Sequence, residues 1–258
     1  SLSAAYLLSA SCSLVFVGML VGTRVRDEQR ATPGSMLAKV GEGLRYVWSR
    51  KIVLGATSLD LFAVLLGGAV YLLPVFAERM ASDPAGAPLD MTAEQILGVL
   101  RAAPALGASI MALFLAYRPA IRRTGRTLLL NVAGFGVATI VFGLSRNFWL
   151  SGVALFMTGA FDNVSMVIRH GIVQLATPNE MRGRVSAVSS IFIGSSNELG
   201  GFESGLVADL FSPIVSVVSG GVGTILVVLA WAGLFPGLRR LGPLSELGHD
   251  ADRPDESA

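Results

Sequence analysis

The chain has 258 residues, of which 52% are hydrophobic and 15% charged, with a mean hydropathy of +0.63 and a net charge of +2. Soluble domains carry about 25% charged residues, so this composition excludes an ordinary soluble globular protein, and the small net charge argues against a nucleic-acid partner. A single cysteine, Cys12, excludes an intrachain disulfide, and with only His170 and His249 there is no Cys/His set for zinc.

Taken in chain order, the apolar residues fall into seven stretches of membrane-spanning length, roughly 2–22, 52–77, 95–117, 128–145, 148–176, 185–210 and 214–238. The chain opens inside the first, without the basic n-region or cleavage site of a signal peptide, so residue 1 is read as a boundary within a membrane helix. After it comes a basic loop holding an amphipathic stretch, Met36 to Lys51. Met36, Leu37, Val40, Leu44, Val47 and Trp48 share one side; Lys39, Glu42, Arg45 and Arg50 lie elsewhere. This stretch fits either a helix lying on an anionic membrane surface or a linker helix packed on the bundle. The second and third spans are separated by an acidic loop with Glu78, Asp83, Asp90 and Glu94, kept irregular by Pro84 and Pro88. Thr92 and Gln95 form a capping-box pattern at the start of the third span. Ser145-Arg146-Asn147 is a tight turn between spans four and five, and Phe211-Ser212-Pro213 divides six from seven. Pro74 and Pro104 are expected to kink their spans. Gly18/Gly22 and Gly201/Gly205, with Gly194, Gly200 and Ala208 nearby, offer small-residue contacts between helices. From about Ser245 the tail is polar and acidic, with the composition of a disordered segment.

Basic residues gather in alternate loops. Arg24, Arg26, Arg30, Lys39, Arg45, Arg50 and Lys51 follow span one; Arg118, Arg122, Arg123 and Arg126 follow span three; Arg182 and Arg184 follow span five; Arg239 and Arg240 follow span seven. The opposite loops hold only Arg79, Arg101 and Arg146. By the positive-inside rule the first set and the C-terminus are expected in the cytoplasm.

Ionisable groups inside the spans carry the functional reading, because each costs at least about 2.5–3.5 kcal/mol at mid-membrane. They are Asp60 in the second span, Asp162, Arg169 and His170 in the fifth, and Glu198, Glu203 and Asp209 in the sixth. Counting about 1.5 Å of rise per residue puts Asp60 and Arg169 at matching depth, which predicts a pair. The same count puts Asp162 and Glu198 near the midplane, as a carboxylate layer with Glu203 further out. Asp162 and Arg169 are seven apart and share a helix face. Burial disfavours a carboxyl's charged form, and gaining or losing that proton can change the preferred conformation, as a proton-coupling residue requires. The other reading is a set of static salt bridges that fix helix register. Asn163, Gln174 and Asn197 fit the same polar interior. There is no Walker-type loop, GxSxG, HExxH or potassium-filter sequence, so no enzyme, cofactor or metal function is indicated.

The segment Thr177-Pro-Asn-Glu-Met-Arg-Gly-Arg-Val-Ser-Ala-Val-Ser-Ser, with Gly200-Gly201 and Gly205 beyond it, resembles the region entering the eleventh helix of major facilitator superfamily transporters. The span Gly159-Ala-Phe-Asp-Asn-Val-Ser-Met-Val-Ile-Arg-His is similar to the tenth helix of the bacterial drug- and siderophore-exporter branch. The loop from Arg118 to Arg126 resembles the superfamily's gating motif G-x-x-x-D-R-x-G-R at Arg123, Gly125 and Arg126; Arg118 and Arg122 replace its first glycine and its aspartate, so the aspartate's role does not carry over.

This resemblance covers the chain up to about residue 244 and implies an all-α polytopic membrane protein with seven transmembrane helices. Residues 1–22 would be the last helix of an N-terminal half, 23–51 the central cytoplasmic linker, 52–240 the six-helix C-terminal bundle and 241–258 a cytoplasmic tail. The implied activity is alternating access in a bacterial inner membrane, with a small or amphipathic substrate exported against protons and bound at the interface with the missing N-terminal half. An importer shares this architecture, and a non-transporting bundle or assembly protein is the alternative of another class. The residues expected to form the proton and substrate path are Asp60, Asp162, Arg169, Glu198 and Glu203, with Arg123, Gly125 and Arg126 in the gating loop.

Overall fold

The computed structural model describes residues 10, 11, 13–19, 36–83, 91–117, 121–245 and 247. Cys12, Gly22, Arg24, Arg26, Arg30, the loop from Pro84 to Asp90, Arg118 and His249 lie outside them. The chain divides into two compact units, 1–35 and 36–258. In the first, the described residues of the expected opening span are helical and exposed.

The second unit is a helical bundle, with no strand among the described residues. Its helices are Met36–Ser49 (α1), Lys51–Leu66 (α2), Leu73–Ala81 (α3), Ala93–Ala116 (α4), Thr124–Leu144 (α5), Phe148–Leu175 (α6), Asn179–Leu210 (α7), Pro213–Leu234 (α8) and the short Pro236–Arg239 (α9). Among the described residues, five stretches are long and apolar enough to cross a membrane: Lys51–Ala81, Ala93–Ala116, Thr124–Leu144, Phe148–Leu175 and Pro213–Leu234. The sixth expected span falls within α7, which at 32 residues is long enough but far more polar. The chain is thus an all-α, multi-pass membrane protein. Large apolar side chains such as Leu106, Leu113, Leu130, Leu226 and Leu229 are exposed on these helices, the surface that lipid covers.

Local signals set the helix ends. Thr92 and Gln95 make both hydrogen bonds of the capping box. The Asn147 side chain accepts from Trp149 and Leu150 amides to start α6, and Ser212 accepts from Val215 to start α8. The expected single span over 52–77 is broken: a 3-10 segment, Gly68–Leu72, separates α2 from α3. Pro74 lies in the first turn of α3, where no amide donor is needed, so it starts a helix rather than kinking one.

Close helix contacts run through small residues. Gly107 of α4 and Gly159 of α6 each face the other helix's backbone, at Phe156 and Pro104. On α7 the seam is not the Gly201/Gly205 pair. Gly201 meets the Tyr71 ring, and nothing lies within 4 Å of a Cβ placed on Gly205. Ser196, Gly200 and Ser204, four residues apart, are the buried ones. Gly200 faces the Val64 and Leu65 carbonyls, and the Ser204 carbonyl accepts a 2.9 Å hydrogen bond from Ser216 Oγ of α8.

The amphipathic α1 is packed against α7, not separate from the bundle. Gly43 lies on the Arg184 backbone and Val188, Val47 is fully buried, and Arg184 pairs with Glu42 at 2.5 Å. Its expected apolar side is divided: Val47 packs inward, while Leu44 and Trp48 stay exposed.

Candidate functional site: a buried ion pair beside an open carboxylate

The site arises where α2 and α6 place charged side chains among the apolar residues of the bundle. Asp60 follows fully buried Leu59, and Arg169 follows fully buried Ile168, so each charge is carried inward by a core neighbour. Arg169 Nη1 donates to Asp60 Oδ1 in a direct ion pair. Asp60 is 4% exposed and Arg169 8%, so both charges are removed from water and each depends on the other. The pairing expected from depth is present.

Asp162 lies two turns before Arg169 on α6. It is exposed in this chain, yet it lines one small pocket with Asp60, Val132, Phe135 and Ser165. Arg169 therefore interacts electrostatically with two carboxylates, Asp60 in contact and Asp162 further off. Two acids thus face one guanidinium, and Asp162, the exposed one, makes no ion pair among the described residues. Ser165 Oγ donates to the Asp162 backbone carbonyl at 2.9 Å, so its hydroxyl is already used. Asn163 Oδ1, next in sequence to Asp162, is buried without a hydrogen-bond partner.

The expected carboxylate layer does not form. Glu198 is exposed and joins neither the pocket nor any ion pair among the described residues. Glu203 is half-buried and accepts from Ser204 Oγ at 3.4 Å. The reason is helix pairing: α6 packs mainly on α4 and α5, whereas α7 packs on α1, α2 and α8. Equal depth therefore does not bring Asp162 and Glu198 together. His170, Gln174 and Asp209 are exposed and outside the pocket, and the Asn197 carbonyl accepts from Tyr71 Oη at 3.0 Å.

In the expected gating loop, Arg123 and Arg126 are exposed, while Gly125 is buried. The Gly125 amide donates to the Leu241 carbonyl at 3.3 Å, and a Cβ there would meet the Leu238 carbonyl. Gly125 therefore lets the start of α5 approach the chain around α9. Arg182 also has a structural role: its Nε donates to the Gln174 and Thr177 carbonyls at the end of α6, at 2.8 and 3.2 Å. Tyr46 Oη donates to the Ala176 carbonyl at 2.6 Å from the α1 side. Phe135 carries no signal in the sequence, because it is one of two phenylalanines in the apolar part of α5 and has no charge or motif to set it apart. Ser165 could have been found by its i+3 spacing from Asp162.

No family model matches the chain. It is 26% identical over 185 residues to the enterobactin exporter EntS of Escherichia coli O1:K1, covering 72% of this chain and 42% of that protein. It is 29% identical over 150 residues to the enterobactin exporter EntS of Citrobacter koseri, covering 58% of this chain and 36% of the relative. The matches thus span less than half the length of these curated relatives. Among solved structures, an inward-facing, unoccupied bacterial homologue of the human lysosomal transporter Spinster aligns with a TM-score of 0.49 and 14% identity, over 95% of this chain and 58% of that one. The sequence matches bear out the resemblance to the exporter branch of the major facilitator superfamily: this multi-pass chain is homologous to membrane transporters of that branch.

Proposed function

We propose that the chain is the C-terminal part of a secondary active transporter that exports a small or amphipathic molecule in exchange for protons by alternating access. The observation that carries this reading is the Asp60–Arg169 pair with Asp162 open beside it. A static bundle needs its buried charges paired. Here one carboxylate is left over on an open side, where an N-terminal half would close a passage. Asp162 is the group that takes up and releases the proton, and Arg169 lies two turns along the same helix face. When Asp162 is protonated, Arg169 interacts with Asp60 alone; when it is ionised, both acids draw on one guanidinium. That difference in charge gives the two conformations a differential affinity for the proton, which coupling requires. Glu198 and Glu203 remain proposed members of a more remote part of the path, separate from this pocket. Arg123, Gly125 and Arg126 are proposed to hold the loop that closes the cytoplasmic side. The orientation proposed, in a bacterial inner membrane with the C-terminus cytoplasmic, rests on the loop arginines.

Export is favoured over import by the enterobactin exporters among the relatives. The test uses the full-length parent protein in sealed vesicles. Asp162→Asn is expected to insert normally and to lose pH-gradient-driven flux by about a hundredfold or more, the lower end of what one positioned proton-transfer group contributes. Unchanged flux would remove Asp162 from the coupling mechanism.

A further inference from the structure

A second cavity, of about 390 Å³, lies between α1, the start of α2 and the turn joining α6 to α7. Its walls include Tyr46, Arg50, Lys51, Ile52, Ala176 and Pro178, with Leu247 from beyond α9, and no acidic residue lies among the described residues of the lining. Arg50 and Lys51 are exposed, and among the described residues neither makes an ion pair. The Arg50 guanidinium lies 6.0 Å from the Tyr46 ring centroid, which holds it at the cavity wall. The cavity therefore combines two cations that make no ion pair among the described residues with apolar surfaces from Ile52, Ala176, Pro178 and Leu247.

Its position narrows the ligand. Lys51 is the first residue of the apolar stretch Lys51–Ala81, so the cations stand where a membrane-crossing helix meets water. Immediately before them, α1 leaves Trp48 67% exposed, with Leu44 one turn away. An exposed tryptophan with flanking cations is the pattern of a chain seated at the lipid headgroup level. From these observations we infer that this cavity is a binding site for a phosphate ester anion, supplied by the headgroup of an anionic phospholipid. The phosphate lies between Arg50 and Lys51, and the acyl chains run along α2 and the exposed face of α1. The site is separate from the Asp60–Arg169–Asp162 pocket and does not depend on the transport reading.

The test is retention of phosphatidylglycerol, counted by native mass spectrometry after the whole chain is extracted from phosphatidylcholine nanodiscs doped with phosphatidylglycerol. R50Q/K51Q is expected to retain about tenfold less than the parent, whereas R101Q, at an exposed arginine elsewhere, is expected to match it. A176W, which fills the cavity with both cations intact, is expected to lose the lipid as well. Equal retention by the parent, R50Q/K51Q and A176W would overturn the site. Loss in R50Q/K51Q alone would reduce it to surface charge and overturn the cavity. Soluble glycerol 3-phosphate is the competing arm: no displacement supports the lipid as the source, and displacement would reassign the site to a soluble phosphate ester and overturn the lipid assignment.

Discussion

At the residue scale, two aspartates near one arginine, Asp60 in contact with Arg169 and Asp162 seven residues before it on α6, behave oppositely because their burial differs. Asp60 is enclosed with its cation, so removing its charge leaves Arg169 buried with no carboxylate in contact and only the more distant Asp162 opposite it. Asp60→Asn is expected to destabilise the fold by about 3–5 kcal/mol, and the double variant Asp60→Leu/Arg169→Leu to recover much of that loss. Denaturant or thermal unfolding of the purified protein measures both. A double variant as unstable as the single would show that the pair contributes through packing, not charge. Asp60, Asp162 and Arg169 were legible in the sequence because each interrupts an apolar run, and depth counting was enough to match Asp60 with Arg169. The same count misplaced Glu198, since depth along a helix says nothing about which neighbour the helix faces.

At the element scale, the glycines of α7 give the sharpest contrast. Gly200 faces the carbonyls of α2, and Gly205 faces open space. Gly200→Val should separate α7 from α2 and lower the unfolding midpoint, while Gly205→Val should leave it unchanged; thermal scanning of the two variants decides the matter. The GxxxG pattern in the sequence pointed to the wrong pair because serine packs as a small residue too, and the buried register is Ser196, Gly200 and Ser204. The break at Gly68–Leu72 was hidden for a related reason. An unbroken apolar run carries no mark of where its helix changes hydrogen-bonding pattern, even though Gly67 and Gly68 supply the flexibility there. The capping box at Thr92, by contrast, was fully legible, since it depends on four consecutive residues and no tertiary contact.

The attachment of α1 belongs to the same scale. Amphipathicity identified the helix and left its partner open. The structure gives one edge of that helix to α7 through Gly43 and Val47, and leaves Leu44 and Trp48 outward. Gly43→Val would place side-chain atoms against the Arg184 backbone and should release α1. Limited trypsin digestion at Arg45 and Arg50 is expected to accelerate in that variant and not in Gly41→Val, because no atom lies within 4 Å of a Cβ at Gly41.

At the scale of the whole molecule, the bundle makes sense as a surface that is only partly finished. Lipid covers its exposed leucines, α1 covers part of α7, and the side that bears Asp162 remains open. Composition alone revealed the membrane and the helices. It could not reveal that the ionisable residues divide into one enclosed pair, one open carboxylate and several peripheral groups, because that division depends on which helices adjoin. The central claim is that Asp162 faces a watery passage in the assembled transporter, and thiol accessibility tests it directly. In the full-length parent, with Cys12→Ser and any other cysteines removed, Asp162→Cys in intact membranes is expected to react with a charged, water-soluble thiol reagent. Leu130→Cys, at a lipid-covered position 71% exposed in this chain, is expected to resist it. If Asp162→Cys proved as unreactive as Leu130→Cys, no aqueous route would reach the site and the transport mechanism proposed here would be contradicted.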